Sequence, residues 1–139
     1  MNQATRALCR SLVAAVDMAV TNNGTCLMAF HEKRPPDILH HSMSAATAKH
    51  YLDRYLAGPY LLDPLYQLAI KTRTTVACRF RDAIPDRFRS SEYYRQYYER
   101  THLRDEMDFL IRTDNDATLV LVVGRIHRRF AKAELARLE

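Results

Sequence analysis

Apolar positions recur along this chain at two spacings, one helical and one alternating, and the changes between them divide it into elements. From about Gln3 to Ala19 the spacing is helical, with Leu8, Leu12 and Ala15 on one face and Arg6 and Arg10 turned away. Asn22-Asn23-Gly24 stops that helix and turns the chain. Thr25 to Phe30 reads as a strand, Lys33-Arg34-Pro35-Pro36 as a loop and Asp37 to His41 as a second strand, together a hairpin with a long connection. Ser44 is placed to cap a helix running to about Leu56. Gly58-Pro59 breaks the chain, and Asp63-Pro64 starts another helix, to about Arg73, because Asp is a good N-cap and Pro a good first helical residue.

Beyond that helix the alternation returns. Thr74, Val76, Cys78 and Phe80 fall on one side of a half-buried strand, with Thr75, Ala77 and Arg79 on the other. Pro85 interrupts an irregular stretch, and Ser90 to about Thr101 reads as a helix dense in tyrosine. Met107, Phe109 and Ile111 then alternate with Asp108, Leu110 and Arg112; Asp114-Asn115-Asp116 turns, and Thr118 to Val123 is a central strand. Phe130 to Glu139 begins an amphipathic helix with Leu135 and Leu138 apolar. The order is helix, two strands, two helices, strand, helix, two strands, helix. It predicts an α+β fold with a five-stranded antiparallel sheet of the PAS or GAF kind, flanked by helices. A small molecule can bury itself between such a curved sheet and its covering helices.

At 139 residues the chain suits a single core, and 47% hydrophobic residues are too many for a disordered protein. No apolar run approaches the roughly 20 residues needed to cross a bilayer. Cys9, Cys26 and Cys78 are odd in number and far apart, which points to free thiols in a cytoplasmic protein. The net charge of +5 could suit an anionic partner, but the basic residues are interleaved with acids over most of the chain, which favours a solvated surface.

The pattern of chemistry-bearing residues points away from an enzyme and from a metal or cofactor. His40 and His41 are adjacent on a strand, so they face opposite ways and do not share a metal. Glycine-rich phosphate loops and zinc-binding histidine pairs are missing from the sequence. Tyr51 and Tyr55 lie one helical turn apart, close in sequence to Asp63. Asp63 reads either as the cap of the helix that Pro64 begins or as an acceptor for a ligand. The tyrosines read either as core residues or as donors to a ligand carbonyl. Tyr93 with Tyr97, and Tyr94 with Tyr98, form two further pairs, one of which faces the sheet.

Tyr51, Tyr55 and Asp63-Pro64 resemble the autoinducer-binding domain of LuxR-type transcription regulators. Residues 86 to 110, DRFRSSEYYRQYYERTHLRDEMDFL, with Gly124-Arg125 closing a later strand, resemble LuxR-type regulators with GAF-like sensor domains. FAKAELARLE at the end resembles their connector helix. The autoinducer receptors carry tryptophan at the position of Tyr51, and this chain has none, so the implied ligand is an unidentified small molecule. The resemblance implies a ligand-sensing, homodimeric domain over residues 1–129. Residues 130–139 would start a connector toward a helix-turn-helix DNA-binding domain that this chain lacks. The candidate ligand-binding set is Tyr51, Tyr55, Asp63, Tyr66, Phe80, Tyr94 and Tyr98. The rival expectations are a short partner that captures full-length regulators and a small basic protein that binds nucleic acid directly. The latter would use Arg79, Arg81, Arg87, Arg89, Arg95, Arg125, Arg128 and Arg129.

Overall fold

A computed structural model describes residues 1–71, 75–113 and 116–139. Five strands, β1 (Gly24–Phe30), β2 (Asp37–His41), β3 (Val76–Arg79), β4 (Asp105–Arg112) and β5 (Thr118–Arg125), pair antiparallel in the order β2-β1-β5-β4-β3. The apolar run at Leu119 to Val123 thus occupies the centre of the sheet, as its composition predicts. The expected strand start at Thr74, the helix end near Arg73 and most of the turn at Asp114-Asn115 lie outside the described residues. At its other end β3 stops at Arg79, and Phe80, expected on the strand, instead opens a short helix, α5 (Phe80–Ala83). Among those described, no helix is long and apolar enough to cross a membrane.

Each face of the sheet carries its own core. On the first, Cys26, Met28 and Phe30 of β1, Leu110 of β4 and Val120 of β5 meet tyrosines and leucines from the covering helices. These helices are the segment 45–56, α4 (Pro64–Lys71) and the segment 92–101. On the other face, Leu27, Met107, Phe109, Leu121 and Val123 pack against α1 (Gln3–Ala19) and against Phe130, with Leu135 and Leu138 of α7 (Lys132–Leu138) alongside. The period-two alternation of every strand is the cause, since successive side chains serve opposite cores.

One predicted face is corrected. Cys9, Val13, Val16 and Val20 form the stripe of α1 and its cap that reaches the sheet, while Leu8 is 69% and Leu12 40% exposed. Ala15 is exposed too. Both stripes have helical spacing; the valine stripe packs its short β-branched side chains against the sheet. The tyrosine helix starts at Glu92 rather than at the expected Ser90, and Ser91 caps it, its Oγ accepting from Tyr94 N at 3.2 Å.

Two of the covering helices share an irregularity. The segment 45–56 is α2 (Ala45–Ala48), a π-helical turn at Lys49–Asp53 and α3 (Arg54–Leu56). The segment 92–101 has a π-helical turn at Tyr94–Tyr98 before α6 (Glu99–Thr101). Single π turns inside helices are rare and concentrate at functional sites. The two helices are tied to each other at these turns: Tyr51 Oη donates to Thr101 O at 3.0 Å, and Tyr97 Oη donates to Tyr51 O at 3.2 Å.

Candidate ligand cavity

Between the first face of the sheet and these helices lies a cavity of about 270 Å³. Its floor is the sheet: Cys26 and Met28 from β1, Val120 and Val122 from β5, Glu106 and Asp108 from β4. Its roof is Tyr51, Leu52, Tyr55, Asp63, Leu65, Tyr93 and Tyr97. Two glycines let side chains close one end of it. Gly24 and Gly124 face each other across β1 and β5, and a Cβ at either would stand 2.8 Å from Met43 Cγ or 2.9 Å from Leu103 Cδ2 respectively. Met43 and Leu103 both line the cavity.

Asp63 is buried, and both its oxygens are occupied. Oδ2 accepts from Tyr55 Oη at 2.6 Å and Oδ1 from Leu65 N at 2.9 Å. The carboxylate therefore caps the helix that Pro64 begins, as the Asp-Pro pair suggests, and anchors Tyr55 as well. Burial is the largest influence on it and outweighs these hydrogen bonds, pushing its pKa up to about 6. Smaller favourable contributions come from the Tyr93 phenol and the Tyr66 amide.

Glu106 and Asp108 are the chemistry that the sequence pattern did not single out. They are two residues apart on β4 and so share its cavity face. Asp108 is fully buried, and neither of its oxygens finds a donor. Its cross-strand neighbours are Cys78 and Val122, which offer no strong donor. Glu106 is a second acceptor, so a hydrogen bond between the two carboxyls needs a proton on one of them. Burial, followed by the other acid of the pair for Asp108 and by Asp63 for Glu106, raises both carboxyls well above their ordinary range. Among the described residues, no lysine, arginine or histidine lines the cavity. The thiol of Cys26, in the same floor, is pushed up to about 12 by burial, which leaves it without nucleophilic character near neutrality.

The seven sequence-predicted site residues divide between places. Tyr51, Tyr55 and Asp63 line the cavity. The hydroxyl protons of both tyrosines are already donated within the protein, to Thr101 O and to Asp63. Tyr66 is buried beside Phe30, with ring centroids 5.3 Å apart, and its hydroxyl donates to His31 O at 2.7 Å. Phe80, Tyr94 and Tyr98 lie farther along the sheet, in an aromatic cluster around Phe88; Phe80 and Tyr98 stack with centroids 5.0 Å apart. These three border a second depression, of about 1010 Å³, that also includes Arg81, Arg87 and Arg104. The tyrosine pair that reaches the cavity is Tyr93 with Tyr97.

Several arginines of the nucleic-acid reading are committed internally. Arg79 donates to Asp82 at 2.8 Å, Arg81 to Asp105 at 3.2 Å and to Phe130 O at 2.7 Å, and Arg125, 3% exposed, pairs with Glu134 at 2.7 Å.

No family model and no curated protein matches this chain. Solved structures do. The LBD (ligand-binding) domain of VqsR from Pseudomonas aeruginosa is similar with a TM-score of 0.74 at 25% identity, over 91% of this chain and 74% of that one. The GAF domain/HD domain protein from Geobacter sulfurreducens gives a TM-score of 0.63 at 13% identity, covering 96% of this chain and 84% of that one. The GAF domain of a two-component sensor histidine kinase from Bacillus halodurans gives 0.55 at 15% identity with the same coverage. The chain has the GAF-like sensor fold, and over most of its length it is similar to the ligand-binding domain of a regulator.

Proposed function

We propose that this chain is the ligand-sensing and dimerisation domain of a LuxR-type transcription regulator, and that it binds a small molecule between the sheet and its helices. The observation that carries the reading is the cavity, floored by β1, β4 and β5 and roofed by Tyr51, Tyr55 and Asp63. Its volume is just below the ~300 Å³ at which small-molecule sites begin, and its lining is mostly apolar with few polar groups, as such sites are. The likeness to the VqsR domain supports the regulator part of the reading. A ligand would act by favouring one arrangement of dimer and connector, since equal affinity for two states shifts nothing.

The test is a thermal-shift screen of small neutral, cationic and anionic compounds. Wild type is compared with Val122→Phe, which fills the cavity from its floor. Compounds that raise the wild-type midpoint but leave the variant unmoved are expected. If no compound discriminates between the two folded proteins, the sensing assignment fails. Sedimentation with and without a hit compound then reads the dimer.

A further inference from the structure

The cavity's charge is opposite to that of the chain. The protein carries +5, yet among the described residues the ionisable carboxyl or basic groups lining the cavity are Asp63, Glu106 and Asp108. Asp63 is satisfied by Tyr55 and Leu65, so its position has a structural explanation. Asp108 has no such partner: it is fully buried, faces the cavity, and its oxygens find no donor beyond a proton held between it and Glu106. A native fold seldom leaves such a group unpaired, because the lost hydration is not returned. Glu106, next to it on the same face, adds a second acceptor where a hydrophobic floor would be more stable.

We propose that the cavity takes an organic cation, a protonated amine or amidinium on a small apolar or aromatic body, with the charged head on Asp108 and Glu106. This inference rests on the ligand-sensing reading and specifies the ligand's chemistry. An ammonium supplies three donors and an amidinium a planar fork, and either satisfies two neighbouring carboxylates with charge-assisted bonds. Tyr51, Tyr55, Tyr93 and Tyr97 line the cavity, and aromatic rings suit both a cation and the body that bears it. A bare metal ion fits less well. Among the described residues no group of three or more histidine, cysteine, aspartate or glutamate side chains is placed to hold one, and the aromatic and aliphatic lining would face a hydrated ion.

Matched pairs that differ only in charge test this: butylamine and butanol, phenethylamine and phenethyl alcohol, tryptamine and tryptophol. Each is titrated calorimetrically into the wild type, Asp108→Asn and Glu106→Gln. In the wild type at least one amine is expected to bind about tenfold or more tightly than its own alcohol. Asp108→Asn should erase that preference while leaving the alcohol's affinity within a few-fold. Glu106→Gln provides the same comparison if Asp108→Asn does not fold. Alcohols equal to or better than their amines in every wild-type pair overturn the cation assignment, as does an amine series that does not bind at all. In either case a neutral or anionic compound that discriminates wild type from Val122→Phe keeps the sensing reading alive, so the two failures are told apart.

Discussion

At the scale of single residues, three buried carboxyls set the expected pH dependence of stability. Asp63 rises to about 6, and Glu106 and Asp108 are raised well above their ordinary range, all chiefly through burial. The folded state therefore holds protons that the unfolded chain has released. That contribution to stability is complete below about pH 4, where the unfolded carboxyls titrate, and is lost as pH climbs through the folded values. For Asp63 the window runs from 3.8 to about 6, worth on the order of 3 kcal/mol at roughly 1.4 kcal/mol per unit. The groups facing these acids do not interfere there. Tyr55, Tyr93, Tyr97, Cys26 and Cys78 are all raised by burial and stay neutral. Urea midpoints of the free protein should thus fall from pH 5 to pH 8. Asp108→Asn should flatten the slope, raising stability at pH 8 and hardly changing it at pH 4. A midpoint that climbs with pH in the wild type would show that a partner for these carboxyls exists in the folded chain. The sequence displayed these acids without marking them. Alternating acid and apolar residues in a strand ordinarily means one wet face. Only the three-dimensional arrangement, with tyrosine helices over one side and α1 over the other, shows that β4 has none.

At the scale of elements, local signals decided what was legible. Asp63-Pro64 and Ser44 act through bonds to amides two or three residues ahead, so they are visible in sequence and hold in the structure. The strands were legible because their alternation is local too. The choice between the Leu8 and Val13 stripes of α1 depends on the distant sheet and was not. Nor were the π turns, whose freed or shared carbonyls are satisfied by tyrosines some 46 residues away, as with Tyr97 and Tyr51. The end of the tyrosine helix is a further case. His102 takes φ 58°, the left-handed conformation usual for glycine after a helix, and no glycine announces it. A side chain there costs roughly 1 kcal/mol relative to glycine. His102 is exposed and its amide still donates to Glu99 O. His102→Gly is therefore expected to stabilise the protein by about 0.5–1 kcal/mol in urea unfolding. A loss of stability instead would mean that the imidazole contributes more than the strained backbone costs.

At the scale of the whole molecule, the two faces of the sheet connect the cavity to the C-terminal helix. Consecutive residues of β4 and β5 point to opposite sides. Glu106 faces the cavity while Asp105, one residue earlier, accepts from Phe130 N at 2.8 Å on the far side. Gly124 lines the cavity while Arg125 reaches Thr21 O and Glu134 and lies over the Phe130 ring at 4.0 Å. Glu134 also accepts from Ala131 N at 3.0 Å, capping α7. Its hydrogen bond to Arg125 outweighs partial burial and holds its carboxyl down to about 2. This contribution has the opposite sign to that of the cavity acids: it is present above about pH 4.5 and lost only as pH falls toward 2. Near neutrality α7 is therefore fastened to the same two strands that would feel a ligand's charge. Removing the charge at one end should free the helix without disturbing the cavity. In Glu134→Gln, amide exchange across 132–138 should quicken about tenfold or more, the size expected for local opening easier by 1–2 kcal/mol. Exchange in β1 and β5 should stay as it was. Equal protection of α7 in both proteins would assign its attachment to Phe130 and the apolar contacts alone, and β5 would then carry no electrostatic link from the cavity to α7.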